Sequence, residues 1–176
     1  MRSTGVVRRI DELGRVVIPK EIRKTLRIKE GENIEIYVEN ENIILKKYSL
    51  MKKLNDFAKE FAEAIYTVDK KNIIITDTDT VVAISGPLKK DYLGKNISND
   101  LIDSIKRREN IIEKYEKSIK IIDSEGIDAT YVMNSIICNG DVIGLIIILS
   151  TEEVVDEFDE KIANIGSQFL SKYLAE

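Results

Sequence analysis

The sequence lacks histidine and tryptophan altogether, and it contains one cysteine, Cys138, among its 176 residues. These absences exclude a Ser-His-Asp triad, a Cys-His dyad, a histidine metal site and a four-cysteine zinc site. A single cysteine also cannot form a disulfide within the chain. We therefore predict a protein that is not an enzyme and that holds no metal and no resident cofactor. Cys138 ends an apolar strand, where a buried core residue is the default expectation.

Long hydrophobic runs are also missing. The longest apolar stretch covers residues 142–149, which is well short of the roughly 20 residues that a helix needs to cross a bilayer. The first residues contain no apolar core of a secretory signal, and low cysteine usage is typical of a reducing compartment. These features predict a soluble, cytoplasmic protein without a membrane partner.

The charge of the chain is divided unevenly between its two ends. Residues 1–47 carry 11 basic and 8 acidic side chains, whereas residues 48–176 carry 16 basic and 23 acidic ones. Six of the eight arginines lie within the first 27 residues. An arginine-rich end on an otherwise acidic chain favours a polyanion as the partner of that end, although short basic stretches are often simply solvated surface.

The first 47 residues have the pattern of a small β-rich unit. Short apolar runs, separated by turn residues and Pro19, predict a short helix over residues 19–26 and strands over residues 5–10, 15–18, 34–38 and 43–45. The first two strands carry apolar side chains on both faces, so each needs burial from two sides. A unit of this size has too little core to fold alone, and we expect it to form a dimer.

From Leu50 onward the apolar residues follow a helical period, and helices then alternate with strands. We predict an α+β fold in which helices flank a mainly antiparallel sheet of about five strands. The predicted helices begin near Leu50 and after Ser98, the latter extending to Ile112, and the predicted strands cover residues 72–75, 80–84, 118–122, 129–138 and 142–149. Period and charge both change near residues 46–49, which divides the chain into domains covering 1–48 and 49–176.

The C-terminal helix carries an apolar seam with nearly heptad spacing. Its members are Val155, Phe158, Ile162, Ile165 and Phe169. Two interpretations are equally open. The helix packs only on its own sheet, or it also pairs subunits.

A longer motif in the N-terminal part resembles a known protein family. The run Asp-Glu-Leu-Gly-Arg-Val-Val-Ile-Pro at residues 11–19 closely resembles the DNA-binding domain of the AbrB transition-state regulators, and the resemblance extends through Tyr48. It implies a swapped-hairpin β-barrel in which two copies interleave their strands as a homodimer. It also implies that double-stranded DNA is the partner, contacted by Arg8, Arg9, Arg15, Arg23 and Lys24. Arginine suits this role because its planar group binds phosphate or guanine in a bidentate manner.

The resemblance to sporulation regulators of this family covers the whole chain, with Ser85-Gly86 and residues 89–93 as supporting segments. It implies a sequence-specific, nucleoid-associated regulator of sporulation genes. Residues 49–176 would form a GAF-like domain that senses an unidentified small molecule, joins subunits into a homotetramer, or does both. Tyr92, Tyr115 and Tyr131 are candidates to line a ligand pocket, and the sequence does not choose among them.

Two other functions are compatible with parts of the sequence. The swapped-hairpin fold also occurs in antitoxins, whose C-terminal part binds a toxin, but the regular helix and strand periods after residue 50 disfavour such an extended tail. Asp77 and Asp79 follow an apolar strand, as the Asp-x-Asp nucleophile motif of some phosphatases does. That chemistry needs a parallel sheet and further charged groups, so a turn between two strands is the favoured interpretation.

Overall fold

The computed structural model describes residues 5–48, 55–124 and 126–175. Contacts divide the chain into two compact units, Met1–Tyr48 and Ser49–Glu176. The first is named the basic unit and the second the sheet unit. None of the helices formed by the described residues is long and apolar enough to cross a bilayer.

The described residues of the basic unit form one helix and one β-hairpin. Helix α1 (Lys20–Thr25) begins directly after Pro19, whose φ of −57° suits a helix start. Strands β1 (Ile34–Glu39) and β2 (Asn42–Lys47) pair antiparallel along their whole length. The predicted helix and the predicted hairpin are therefore both present.

The two strands predicted before α1 are not formed within this chain. Residues 5–10 and 15–18 belong to neither sheet of the described structure, and they are joined by a turn in which the Gly14 amide donates to the Asp11 carbonyl. The physical reason is that a strand needs a neighbouring strand to satisfy its amide and carbonyl groups. One copy of the chain offers these segments no such neighbour among its described strands.

The sheet unit is built on a five-stranded antiparallel sheet with helices on both faces. Its elements are α2 (Asn55–Asp69), β3 (Asn72–Thr76), β4 (Val81–Ser85), α3 (Lys89–Tyr92), α4 (Asn99–Arg107), β5 (Ile111–Ile119), β6 (Ile127–Cys138), β7 (Asp141–Ser150) and α5 (Glu157–Ala175). The strands lie in the order β4-β3-β7-β6-β5, and each neighbouring pair is antiparallel. The α+β class and the five-stranded sheet are confirmed.

Successive residues of the central strands alternate between two cores. On β3, Ile74 faces the core beneath α4, whereas Ile73 and Ile75 face the core beneath α2 and α5. On β7, Ile147 and Ile146 are divided in the same way. Burial on both faces explains why these strands are continuous apolar runs. Each fully buried isoleucine contributes about 2 kcal/mol of hydrophobic free energy.

Two local signals in the sequence fix element ends as predicted. The Ser98 hydroxyl accepts a hydrogen bond from the Leu101 amide at 3.2 Å and caps α4. Asn139 and Gly140 have φ values of 50° and 88° and form the tight turn between β6 and β7, which is the hairpin turn that an Asn-Gly pair favours.

The prediction is wrong between α4 and β5. Ile112 was assigned to the helix, but it lies in β5, which begins at residue 111 instead of 118. Arg108 takes a left-handed conformation with φ of 55° and ends the helix. The short helix α3 has no predicted counterpart, and the predicted helical positions Leu50 and Leu54 lie outside the described residues.

Candidate nucleic-acid interface

A tight turn at residues 11–15 orients one of the predicted DNA-contacting arginines. The Asp11 carboxylate organises this turn: Oδ1 accepts hydrogen bonds from the backbone amides of Leu13 at 3.0 Å and Arg15 at 2.8 Å. Oδ2 accepts a third from the Arg15 Nε at 2.7 Å. Gly14 supplies the positive φ of 75° that the turn requires. Arg15 leaves this turn with 71% of its side chain exposed.

The Asp11 carboxylate is held in its charged form. The backbone hydrogen bond from Arg15 lowers the pKa of Asp11 below its ordinary value, and the side-chain hydrogen bond from Arg15 acts in the same direction. Because the charged form accepts these bonds, their stabilising effect is present above the ordinary carboxyl pKa and is lost as the pH falls through the lowered one. At neutral pH the Asp11 carboxylate is therefore charged.

The other predicted contact residues are exposed on two further segments of the basic unit. Arg23 and Lys24 lie in the last turn of α1. Arg8 and Arg9 lie in the extended segment before the turn, where the Arg8 Nη1 donates to the Val7 carbonyl at 3.1 Å. All five predicted cations thus reach solvent from three consecutive segments of the chain.

Lys47 is a cation of the basic unit with structural partners. Lys47 forms an ion pair with Glu32 at 2.9 Å, with 19% and 17% of the two side chains exposed. Lys47 also donates to the carbonyl of Arg27 at 3.1 Å, and Glu32 accepts from the Lys29 amide at 2.8 Å. These contacts hold the end of β2 against the segment that follows α1.

The apolar residues of the basic unit are uncovered in a single chain. None of its described residues, 5–48, is buried, and Val7 and Val17 are 85% and 71% exposed. Further exposed apolar residues are Ile10, Leu13, Val16, Ile36, Val38 and Ile43. An apolar surface of this extent on a small unit marks an interface.

A second uncovered surface lies on the sheet unit, where α2 and α5 run antiparallel. Phe57 at the start of α2 stacks on Tyr173 near the end of α5, with ring centroids 4.6 Å apart, and Phe61 stacks on Phe169 at 5.7 Å. We name the exposed part of this surface the aromatic face. It consists of Phe158, Ile165, Phe169 and Tyr173.

The predicted seam of α5 is divided between the core and the aromatic face. Val155 was predicted in the helix but lies just before α5. It is buried, and Ile162 packs partly against the same core beneath α5. Phe158, Ile165 and Phe169 remain 50%, 67% and 45% exposed. Packing on the unit's own sheet therefore accounts for only part of the seam.

A buried ionic cluster joins α2, the short segment between α2 and β3, and α5. The Lys71 Nζ lies 3.0 Å from the carboxylates of both Asp69 and Asp159, whose side chains are 3% and 0% exposed. Burial opposes the charge on Lys71, but the hydrogen bonds to Asp159 and Asp69 outweigh it and raise the pKa of Lys71. Burial raises the pKa of Asp159, although the backbone bond from Asp156 and the bond from Lys71 oppose this shift. The lysine charge holds both carboxylates in the interior.

Two further features of the sheet unit that the sequence singled out are the segment of residues 77–79 and Cys138. The Asp77 Oδ1 accepts hydrogen bonds from the amides of Asp79 at 2.8 Å and Thr80 at 2.6 Å. This is the predicted turn, set between antiparallel strands. Cys138 is buried, as expected.

The three candidate tyrosines do not share an environment. Tyr92 and Tyr131 belong to the core beneath α4, and burial raises the pKa of both. Tyr115 is 83% exposed on β5, so it does not join the other two around one pocket. A cleft of about 210 Å³ lies elsewhere and is lined by residues 69–72, 87–88 and 150–153.

Sequence reasoning missed two of these arrangements. The role of Asp11 has a local signal, since aspartate side chains in turns commonly accept a hydrogen bond from the backbone amide two residues later. The Lys71 cluster has none, because Asp159 lies 88 positions away in the chain.

Two family models match the chain. Residues 53–175 match the family described as Stage V sporulation protein T C-terminal, transcription factor. Residues 7–53 match the family described as Antidote-toxin recognition MazE, bacterial antitoxin.

Individual relatives cover the whole chain or its first part. Stage V sporulation protein T of Bacillus subtilis (strain 168) is 44% identical over 178 residues, which is 99% of each chain. The transition state regulatory protein AbrB of the same organism is 67% identical over 48 residues, covering 27% of this chain and 50% of AbrB. Among solved structures, the cofactor-binding GAF domain of the nutrient sensor CodY from Clostridium difficile superposes with a TM-score of 0.50 at 12% identity, covering 88% of this chain and 94% of that domain. That last likeness concerns the fold alone.

An AbrB-like basic unit joined to a unit with the GAF fold defines a class of bacterial transcription factor. The 44% identity to stage V sporulation protein T along 99% of each chain places this chain in one family of that class. The chain belongs to the stage V sporulation protein T family. The antitoxin alternative is not favoured, because the antitoxin match ends at residue 53 and the rest of the chain follows the sporulation family.

Proposed function

We propose that this chain is a sequence-specific regulator of sporulation genes that binds double-stranded DNA through residues 1–48 and is located at the nucleoid. The observation that carries the proposal is that all five assigned cations of this small unit are exposed, and that one of them is oriented by a hydrogen-bonded turn. The 67% identity to AbrB over this part supports it. The named relatives are transcription regulators, and no catalytic role is proposed.

We assign the DNA contacts to Arg8, Arg9, Arg15, Arg23 and Lys24. All five are exposed. Arginine offers a bidentate fork to phosphate or guanine, whereas Lys24 offers a single point charge.

The sheet unit, residues 49–176, is assigned to regulation and assembly. Interleaving of two basic units into a homodimer would cover the exposed valines of residues 5–18. Pairing of two aromatic faces would join such dimers into a homotetramer. A small molecule that binds one arrangement more tightly than another would shift the balance between them.

Replacement of Arg15 by alanine tests the DNA interface. Affinity for a promoter fragment is expected to fall at least about tenfold. The slope of log affinity against log salt is expected to decrease by about 0.9 for each lost phosphate contact, and by twice that if both copies touch DNA. Fluorescence titrations at several salt concentrations measure both quantities.

Lys29→Ala serves as the control, since it removes an exposed cation of the same unit that is not assigned to DNA. Its effect should be clearly smaller than that of Arg15→Ala. If the two variants have the same affinity and slope, Arg15 is not a contact residue.

A further inference from the structure

We propose that Asp11 is a positioning residue of the DNA interface: its carboxylate holds the guanidinium of Arg15 by Nε, so that the two terminal nitrogens point away from the turn toward DNA. This inference rests on the proposed function of the basic unit. It adds an acidic residue to an interface whose other assigned members are all cations.

The two oxygens of the Asp11 carboxylate make different contacts. Oδ1 holds the backbone, through the amides of Leu13 and Arg15, while Oδ2 holds only the side chain of Arg15 at 2.7 Å. The terminal nitrogens of Arg15 take no part in the contact, and these are the groups that form a bidentate fork on phosphate or guanine. One rotamer-rich side chain is thus oriented before DNA arrives, which lowers the ordering cost of binding.

Electrostatics alone would predict the opposite role for Asp11. A carboxylate beside a phosphate-binding surface repels DNA, so its removal should strengthen binding by charge. Glu12 is an exposed carboxylate at the next position and takes no part in the network. Charge and positioning can therefore be separated by comparing Asp11→Asn with Glu12→Gln, each of which removes one negative charge per chain.

The full-length protein is titrated with a duplex that the wild type selects from a randomised library, and with a scrambled duplex of equal length and composition. Glu12→Gln should bind the selected duplex as tightly as the wild type or more tightly. Asp11→Asn should bind it about tenfold more weakly than Glu12→Gln, because asparagine keeps one oxygen for the amides but offers no second acceptor to Nε. In the Arg15→Ala background the two substitutions should have equal effects, since no side chain is left to position.

Equal affinities of Asp11→Asn and Glu12→Gln in the wild-type background would overturn the positioning role. If the wild type does not distinguish the selected from the scrambled duplex, the proposed function itself fails, which is a different outcome.

A measurement on the unmodified protein covers the case in which Asp11→Asn loses the turn. Without DNA, the Nε–H of Arg15 should exchange with water several-fold more slowly than those of Arg8, Arg9 and Arg23. Exchange of the Arg15 Nε–H at the same rate as the others would likewise overturn the proposal.

Discussion

At the scale of single residues, Lys71 is expected to stabilise the sheet unit, because it lies between two buried carboxylates. Lys71→Met should lower the free energy of unfolding by about 3 kcal/mol or more, because Asp69 and Asp159 would stay buried without a cation. Urea denaturation at one fixed protein concentration measures this cost.

Lys117→Met is the matched control for the buried cluster. Lys117 pairs with Glu113 at 3.4 Å and its side chain is 63% exposed, so its loss should cost less than about 1 kcal/mol. Equal costs for the two lysines would contradict the interpretation that the buried cluster stabilises the unit.

Residue-level features could be predicted from the sequence where their chemistry is local. The Ser98 cap depends on an amide three residues away, and the Asn139-Gly140 turn depends on the conformations of two adjacent residues. Counting charge along the chain indicated only an arginine-rich end, whereas the individual contact residues were predicted from the resemblance to the AbrB regulators. The partner of Lys71 could not be found, since 88 residues separate it from Asp159 and only the folded sheet brings them together.

At the scale of helices and strands, prediction from the sequence fails for a different reason, and residues 5–18 show it most clearly. Their apolar pattern predicts two strands, yet the described residues of one chain supply neither a neighbouring strand nor a core for them. Interleaving with a second copy would provide both, and folding would then be coupled to association.

The isolated segment of residues 1–48 should therefore melt at a temperature that rises with its concentration, because association stabilises only the folded state. Thermal melts over a hundredfold range of concentration, followed by circular dichroism, measure the shift. Sedimentation gives the mass of the folded form, which should be that of a dimer. A constant melting temperature together with a monomer mass would rule out the interleaved fold.

The boundary between α4 and β5 shows why periodicity fails at element ends. Ile112 fits the helical spacing of Ile105 and Leu101, but a short apolar run fits a strand equally well. The left-handed conformation of Arg108 ends the helix before Ile112. Glycine at this position would have indicated a helix end in the sequence, whereas arginine does not.

At the scale of the whole molecule, the proposed pairing of aromatic faces would set how many chains act together. All four of its side chains are exposed to water, although two of them, Phe169 and Tyr173, stack on α2 within one copy. This is the state expected of half an interface. A tetramer would bring two DNA-binding dimers onto one particle. Binding of the first dimer would then raise the effective concentration of the second on the same DNA.

Phe158→Glu combined with Ile165→Glu should convert the tetramer into dimers, halving the mass measured by sedimentation. Both residues are at least half exposed in one chain, so the sheet unit should keep its fold, which circular dichroism verifies. Asn164→Glu with Gln168→Glu is the matched control, because it adds the same charge on exposed polar positions of α5 and should leave the mass unchanged.

The Phe158→Glu, Ile165→Glu variant should also bind DNA differently. A dimer lacks the second DNA-binding unit of a tetramer, so binding to a duplex with two sites should weaken by about 100-fold, with little change on a duplex with one site. A folded Phe158→Glu, Ile165→Glu variant with the wild-type mass and affinity would place the tetramer contact elsewhere, because a buried apolar face could not tolerate two carboxylates.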